Sequence, residues 1–203
     1  MSETALGILL VALAYLSGSV PYGFLLGRLV AGIDVRTVGS GNIGATNVAR
    51  AGGRTLGLVV LVLDVLKAVV PILVAQRLLE GEPAAQRWIT AVAVAAFAGH
   101  LFPVWLRFKG GKGVAPGLGI FVVLAPWAAF AGVLAYVALY ALTRISSLGS
   151  LSGTAVACAG AFLLRGPESP IPWAGLVIAL LIVWRHRDNI RRLVRGEEKR
   201  MRV

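Results

Sequence analysis

Charge is scarce in this 203-residue chain, and acidic charge scarcest of all. Charged residues make up 14% and hydrophobic ones 58%, with a mean hydropathy of +0.82. A soluble domain of average composition carries about 25% charged residues. A disordered chain is excluded, and a soluble monomer fits poorly. Asp34, Asp64 and Asp188 are the only aspartates, and no carboxylate cluster resembles a two-metal site. The single cysteine, Cys158, lies in an apolar run. It rules out a disulfide within the chain and any cysteine-based metal centre, and it reads as a small packing residue.

Apolar runs are abundant. They cover about Ala5 to Leu29, Leu56 to Leu79, Trp88 to Leu106, Val114 to Leu142, Leu148 to Leu164 and Ile171 to Trp184. Several are long enough to cross a bilayer. Glu3 ahead of the first run argues against a removable signal peptide. Val114 to Leu142 decides the topology. As one helix it would be roughly 43 Å long, more than the ~30 Å of a hydrocarbon core. Pro126 near its middle predicts two short helices joined at Ala125-Pro126-Trp127. One long tilted helix, giving six crossings, is the alternative. The break makes an all-α polytopic membrane protein of seven transmembrane helices, some short.

The formal net charge is +11. In a soluble protein that would suggest nucleic acid. In a membrane protein it marks the cytoplasmic side and anionic lipid, so no nucleic-acid partner is expected. With seven crossings one side carries Arg28, Arg36, Arg50, Arg54, Arg107, Lys109, Lys112, Arg144 and the tail from Arg185 to Arg202, sixteen of the twenty basic residues. This predicts an N-terminus outside and a cytoplasmic C-terminus.

The polar stretches on that side carry the candidate chemistry. The first is Gly39-Ser40-Gly41-Asn42-Ile43-Gly44-Ala45-Thr46-Asn47 with Arg50. Glycines let successive N–H groups converge into an anion-binding nest, and the arginine adds a planar fork for phosphate. The spacing matches neither a Walker loop nor a dinucleotide fingerprint. The second is His100-Leu101-Phe102-Pro103 followed by Phe108-Lys109-Gly110-Gly111-Lys112-Gly113-Val114-Ala115-Pro116. Membrane anchoring accounts for lysine as a type; close approach of backbone to a charged ligand accounts for its glycine frame. The third is Arg185-His186-Arg187-Asp188-Asn189, where His186 and Asn189 are three apart on one helical face. A fourth, Ser146-Ser147-Leu148-Gly149-Ser150, would read alone as a turn. Together these offer donors and positive charge without a strong nucleophile. That suits substrates bringing their own reactivity, of which an acyl phosphate is one.

The same motifs resemble a known family, the bacterial acyl-phosphate:glycerol-3-phosphate acyltransferases, or PlsY. The likeness rests on Gly39 to Asn47 with Arg50, on Phe108 to Ala115, and on Arg185-His186-x-x-Asn189-Ile190-x-Arg192-Leu193, and runs over the whole chain. It implies one integral-membrane acyltransferase domain, residues 1–203, in the bacterial cytoplasmic (inner) membrane with its active site facing the cytoplasm. The implied reaction moves an acyl group from acyl phosphate to the sn-1 hydroxyl of glycerol 3-phosphate, giving lysophosphatidic acid and inorganic phosphate. It implies that neither acyl-CoA nor a metal is used; no cofactor and a monomer are expected. By matching position, Ser40, Gly41, Asn42, Gly44, Ala45, Thr46 and Asn47 would shape the phosphate pocket of the donor. Arg50 and Lys112 would hold glycerol 3-phosphate, with Lys109 beside them among the binding residues. Lys112, His186, Asn189 and Ser150 would be the catalytic set. Pro116 departs from the small or hydroxylated residue the pattern leads one to expect, which bears on where the next helix starts.

Two other classes fit part of this sequence. A transporter of organic phosphate or lipid would need a midplane site, and Asp64 and Lys67, the clear mid-span charges, are spaced to pair with each other. A scaffold for anionic headgroups explains the basic tail but not the Gly-Ser-Gly-Asn stretch.

Overall fold

Prolines mark where apolar runs break or bend, and side chains from neighbouring helices bond carbonyls at those places. The structure is a computed structural model that describes residues 1–200; Arg202 of the basic tail lies outside the described residues. Among the described residues there is no strand. The described residues form ten α-helices in succession: α1 Glu3–Ser19, α2 Tyr22–Ala31, α3 Ala45–Gly52, α4 Arg54–Leu78, α5 Ala85–Leu101, α6 Val114–Leu124, α7 Pro126–Thr143, α8 Ser146–Arg165, α9 Pro170–Arg185 and α10 Arg187–Val194. Among the described residues, five helical stretches are long and apolar enough to cross a membrane: Glu3–Ala31, Arg54–Leu78, Ala85–Leu106, Pro126–Thr143 and Ser146–Arg165. Val114–Leu124 and Pro170–Arg185 are shorter apolar helices. On α4, Leu58, Leu61, Val62, Val70 and Leu73 are all exposed. A contiguous apolar face of this length has its natural solvent in lipid.

The chain forms two compact units, one from Met1 to Ile120 and one beginning at Phe121. In the first, α1 packs along α5, with α4 against both. Gly18 and Gly99 let those backbones approach: a Cβ on Gly18 would meet the Ala96 backbone, and one on Gly99 would meet the Ser19 amide. Small residues at such crossings are how helices pack where water supplies no driving force. The first apolar run is one stretch long enough to span, as expected, but is made of two helices that break at Val20-Pro21. Proline there has no N–H to bond Ser17 O, which the Val20 N–H takes instead at 3.2 Å. The Val20 carbonyl accepts the Lys67 ammonium at 2.9 Å. Pro71 sits inside α4 without ending it. Its missing N–H would orphan the Lys67 carbonyl, and the Ser17 hydroxyl of α1 donates to that carbonyl at 3.0 Å. In hydrocarbon such replacements are obligatory.

The second unit holds the break anticipated from Pro126. α6 ends at Leu124, Ala125 is extended (φ −148°), and Pro126 opens α7. Arg165 at the end of α8 donates to the Leu124 carbonyl at 2.8 Å, capping the broken end. α7 and α8 pack closely where Gly132 faces Gly153, and α9 packs on α8. Pro116 is fully buried in the first turn of α6. Proline is well tolerated in a helix's first turn, where N–H groups lack helical partners. The helix therefore starts at Val114 without disturbance.

Candidate active site

The first polar stretch is an ordered turn built around one buried amide. α2 closes on Gly32 in the left-handed region (φ 66°). Val35, Ile43, Val48, Leu56 and Val60 then make a small buried cluster that anchors both ends of the stretch. Between them the chain turns through Gly39 and Gly41, both at positive φ. Asn47 is 2% exposed and holds the turn from within. Its amide nitrogen donates to the carbonyls of Val35 (2.8 Å) and Val38 (3.0 Å), and its oxygen accepts the Ser40 N–H (2.8 Å). Both amide protons are thus spent inside the turn. Asn47, expected among the pocket residues, acts as the turn's organiser. Asn42 plays a smaller part of the same kind, accepting the Gly44 N–H at 2.8 Å. Ala45, Thr46 and Asn47, read in the sequence as part of a loop, form the first turn of helix α3. Thr46 and Arg50 are four apart on it and share a face. Ser40, Gly41 and Arg50 are exposed, just ahead of or on a helix whose N-terminal end carries positive partial charge.

Asp34 is occupied nearby. It accepts Arg36 through Nε (2.9 Å) and Nη2 (2.7 Å) and Arg28 through Nη2 (3.0 Å). The Arg36 hydrogen bonds, chiefly, hold the Asp34 carboxyl well below the usual aspartate range, and the same pairing raises the Arg36 guanidinium. Arg36 also lies over the Phe24 ring, 4.4 Å from its centroid. This fixed ion cluster has no carboxylate to spare as a general base.

The second stretch folds back on the end of α5. A short 3₁₀ turn, Val104–Leu106, leads into Arg107 and Phe108, two non-glycine residues at positive φ (51° and 62°). Such positions cost of order 1–3 kcal/mol each and persist when their surroundings fix them. Here the Phe108 N–H bonds Pro103 O at 3.0 Å. The Gly110 and Gly111 N–H groups bond Leu101 O and His100 O, both at 3.1 Å. A Cβ on Gly110 would meet Pro103 Cδ and the Leu101 carbonyl, one on Gly111 would overlap the His100 ring, and one on Gly113 would meet the Phe97 ring. Packing against α5 therefore accounts for the glycine frame, where the sequence suggested ligand approach. Lys112 is half-buried between these glycines and Lys109 is exposed.

In the second unit, His186 forms the junction between α9 and α10. It is 2% exposed, with Nδ1 2.8 Å from the Ile182 carbonyl. Against a carbonyl that nitrogen must be the donor, so any acid–base role falls to Nε2. Asn189, one turn on, is buried and donates to Glu198 Oε1 at 2.5 Å. The same carboxylate accepts the Ser147 hydroxyl (2.8 Å) and Arg192 Nε (2.6 Å). Burial alone would push the Glu198 carboxyl up. The bonds from Arg192, Asn189 and Ser147 and the arginine's charge outweigh that and hold it below the usual glutamate range. Sequence reasoning did not single out Glu198, and read Ser147 only as a member of the small fourth stretch. The available signal was an acid in a basic tail. Ser150, expected to be catalytic, is buried and donates its hydroxyl to Ser146 O at 2.9 Å, back-bonded within α8.

Among the described residues no three His, Cys, Asp or Glu side chains group as a metal site requires. The two sets of groups can bind anions, orient them and donate hydrogen bonds.

Known proteins match the chain along its length. The glycerol-3-phosphate acyltransferase family model covers residues 8–196. A glycerol-3-phosphate acyltransferase of Anaeromyxobacter dehalogenans (strain 2CP-1 / ATCC BAA-258) is 70% identical over 201 residues, 99% of this chain and 100% of that one. One from Myxococcus xanthus (strain DK1622) is 50% identical over 94% of this chain and 97% of its own. The crystal structure of PlsY, an integral membrane glycerol 3-phosphate acyltransferase, in its glycerol 3-phosphate form superposes with a TM-score of 0.89 at 38% identity, covering 97% of this chain and 96% of that one. Its lysophosphatidic acid form gives 0.87 at 37% identity, over 97% and 95%.

Proposed function

Because the chain belongs to the glycerol-3-phosphate acyltransferase family, we propose that it transfers an acyl group from acyl phosphate to the sn-1 hydroxyl of glycerol 3-phosphate. The observation that carries the donor assignment is the character of the polar groups. The ordered Ser40–Arg50 stretch and the Lys109–Lys112 turn offer amides, hydroxyls and cations, and Asp34 is held in an ion cluster. Such groups stabilise charge that substrates bring and do not make a nucleophile.

Ser40, Gly41, Asn42, Gly44, Ala45 and Thr46, shaped by Asn47, bind the donor phosphate. Arg50, Lys109 and Lys112 bind the phosphate of glycerol 3-phosphate. His186, Asn189 and Ser150 complete the polar set, with Ser150 acting as an acceptor because its proton is engaged. The sn-1 oxygen attacks the acyl carbon, and a C–O bond forms as the bond from that carbon to the phosphate oxygen breaks. Inorganic phosphate leaves with the electron pair, and the hydroxyl proton passes to a phosphate oxygen of a substrate. His186 is the alternative acceptor, through Nε2. A basic limb in the pH–rate profile that vanishes in His186→Ala and persists in Asn189→Ala would assign it that role.

The five long stretches and two short apolar helices are read as seven crossings of one domain, residues 1–203. The bias of the basic loops supports an N-terminus outside and polar stretches at the cytoplasmic face of the inner membrane. The protein acts as a monomer.

The test supplies purified protein in detergent with glycerol 3-phosphate and palmitoyl phosphate, and follows phosphate release. Turnover that needs both substrates and collapses in Lys112→Ala is expected. Equal turnover with palmitoyl-CoA would overturn the donor assignment. No turnover with either donor would overturn acyl transfer.

A further inference from the structure

Three polar residues of the first unit lie inside the helices, and the chemistry above does not use them. Asp64 and Lys67 on α4 and His100 near the end of α5 are 2%, 4% and 3% exposed. Lys67 Nζ is 2.8 Å from Asp64 Oδ1, and His100 Nδ1 is 3.7 Å from the same oxygen. Ionisable groups are expensive in a membrane and are retained there for a purpose. A buried ion pair is weak evidence for stability, since apolar replacements of similar volume are often neutral or stabilising.

The network reaches a site residue. Lys67 holds the Val20 carbonyl at the Pro21 break, and Asp64 balances its charge. Asp64 also faces His100, whose ring is the nearest neighbour a side chain on Gly111 would meet. The His100 and Leu101 carbonyls receive the Gly111 and Gly110 N–H groups. The turn that ends in Lys112 is thus laid directly over the His100 ring and its backbone. Moving the ring moves the surface on which Gly111 rests.

We propose that Asp64 and His100 are positioning residues for the Gly110-Gly111-Lys112 turn, fixing where Lys112 meets the phosphate of glycerol 3-phosphate. This rests on the reading of Lys112 given above. A side chain that holds only one substrate's anchor changes that substrate's KM and spares the other's.

The experiment compares wild type, His100→Ala, His100→Asn and the paired change Asp64→Leu with Lys67→Met, all in detergent, with both substrates varied. The paired change removes the carboxylate without stranding a buried ammonium. His100→Ala and the paired variant should each raise the KM for glycerol 3-phosphate about tenfold or more and leave that for palmitoyl phosphate within about twofold. His100→Asn keeps an N–H near the position of Nδ1 and should recover part of the loss. Equal shifts in both KM values, or an unchanged glycerol 3-phosphate KM in folded His100→Ala, would overturn the proposal. A wild type that fails to turn over would instead overturn the acyl-phosphate reading. Wild type also permits a measurement that needs no functional variant. The chain has two histidines, so 15N-histidine labelling gives two sets of ring signals, assigned with His186→Asn. Saturation with glycerol 3-phosphate should shift the His100 set; an unmoved set overturns the proposal even if every His100 variant fails to fold.

Discussion

Replacing Asn47 tests whether the first polar stretch owes its shape to one buried amide. Asn47→Ala removes two donors and one acceptor, leaving the Val35 and Val38 carbonyls and the Ser40 N–H to find other partners. A net contribution of about 0.5–1.5 kcal/mol per hydrogen bond gives roughly 2–4 kcal/mol for the three. The cost falls on the turn, because Val35, Ile43 and Val48 remain packed in their own cluster. If ordered Ser40–Thr46 backbone is what the reaction needs, the same 2–4 kcal/mol appears as a fall in kcat/KM of about thirtyfold to a thousandfold. Asn47→Asp sharpens the test. It keeps an acceptor for Ser40 N–H but turns a carboxylate oxygen toward two carbonyls, so it should be worse than alanine. Phosphate release at varied palmitoyl phosphate, with thermal unfolding in detergent as the control for folding, reads both variants. An Asn47→Ala enzyme keeping more than a third of wild-type kcat/KM would refute the reasoning. So would an aspartate variant that outperforms alanine, because the donors to Val35 and Val38 would then be dispensable.

Three other perturbations have defined outcomes. The Glu198 carboxyl is held below its ordinary value, so its hold on Ser147, Asn189 and Arg192 is complete above the free-glutamate pKa of about 4.3 and is lost as pH falls through the lower folded value. The protection of the 187–198 backbone amides against hydrogen exchange, measured relative to the intrinsic rate at each pH, should therefore be high at pH 7 and fall as the pH drops below the free-glutamate value, and Glu198→Gln should show low protection at both; protection that does not change with pH would contradict the tether. Gly153→Val brings a Cβ within 2.7 Å of the Gly132 carbonyl, and overpacking of about 1–3 kcal/mol should lower the unfolding temperature. An unchanged midpoint would mean that α7 and α8 yield easily. Lys67→Ala strands the buried Asp64 and should cost about 3–5 kcal/mol, more than the paired Asp64→Leu and Lys67→Met change; equal losses would show that the pair is not the electrostatic unit described.

What could be read from the sequence followed from covalent properties of single residues, and what could not followed from partners distant in the chain. Pro126 told where α6 ends, because a ring without an N–H acts locally. Pro21 and Pro71 are chemically the same, yet one ends a helix and the other does not. The Lys67 carbonyl freed by Pro71 takes the Ser17 hydroxyl, fifty residues away, and α4 continues; the Ser17 carbonyl freed by Pro21 takes the Val20 N–H, and Lys67 holds the Val20 carbonyl at the break. The candidate site divides in the same way. Its donors were visible as a density of Gly, Ser, Asn and Lys. Their division of labour was not, because Asn42 and Asn47 have the same amide and differ only in burial. Asn47 faces inward and shapes the turn; Asn42 is partly open and spends only its oxygen on Gly44. Glu198 was hidden for a related reason. An acid in a basic tail reads as a solvated charge until the fold brings Ser147, fifty-one residues away, onto its carboxylate. Residues of this kind hold their neighbours in place, so substitutions at Asn47, His100 and Glu198 should change catalysis by moving those neighbours.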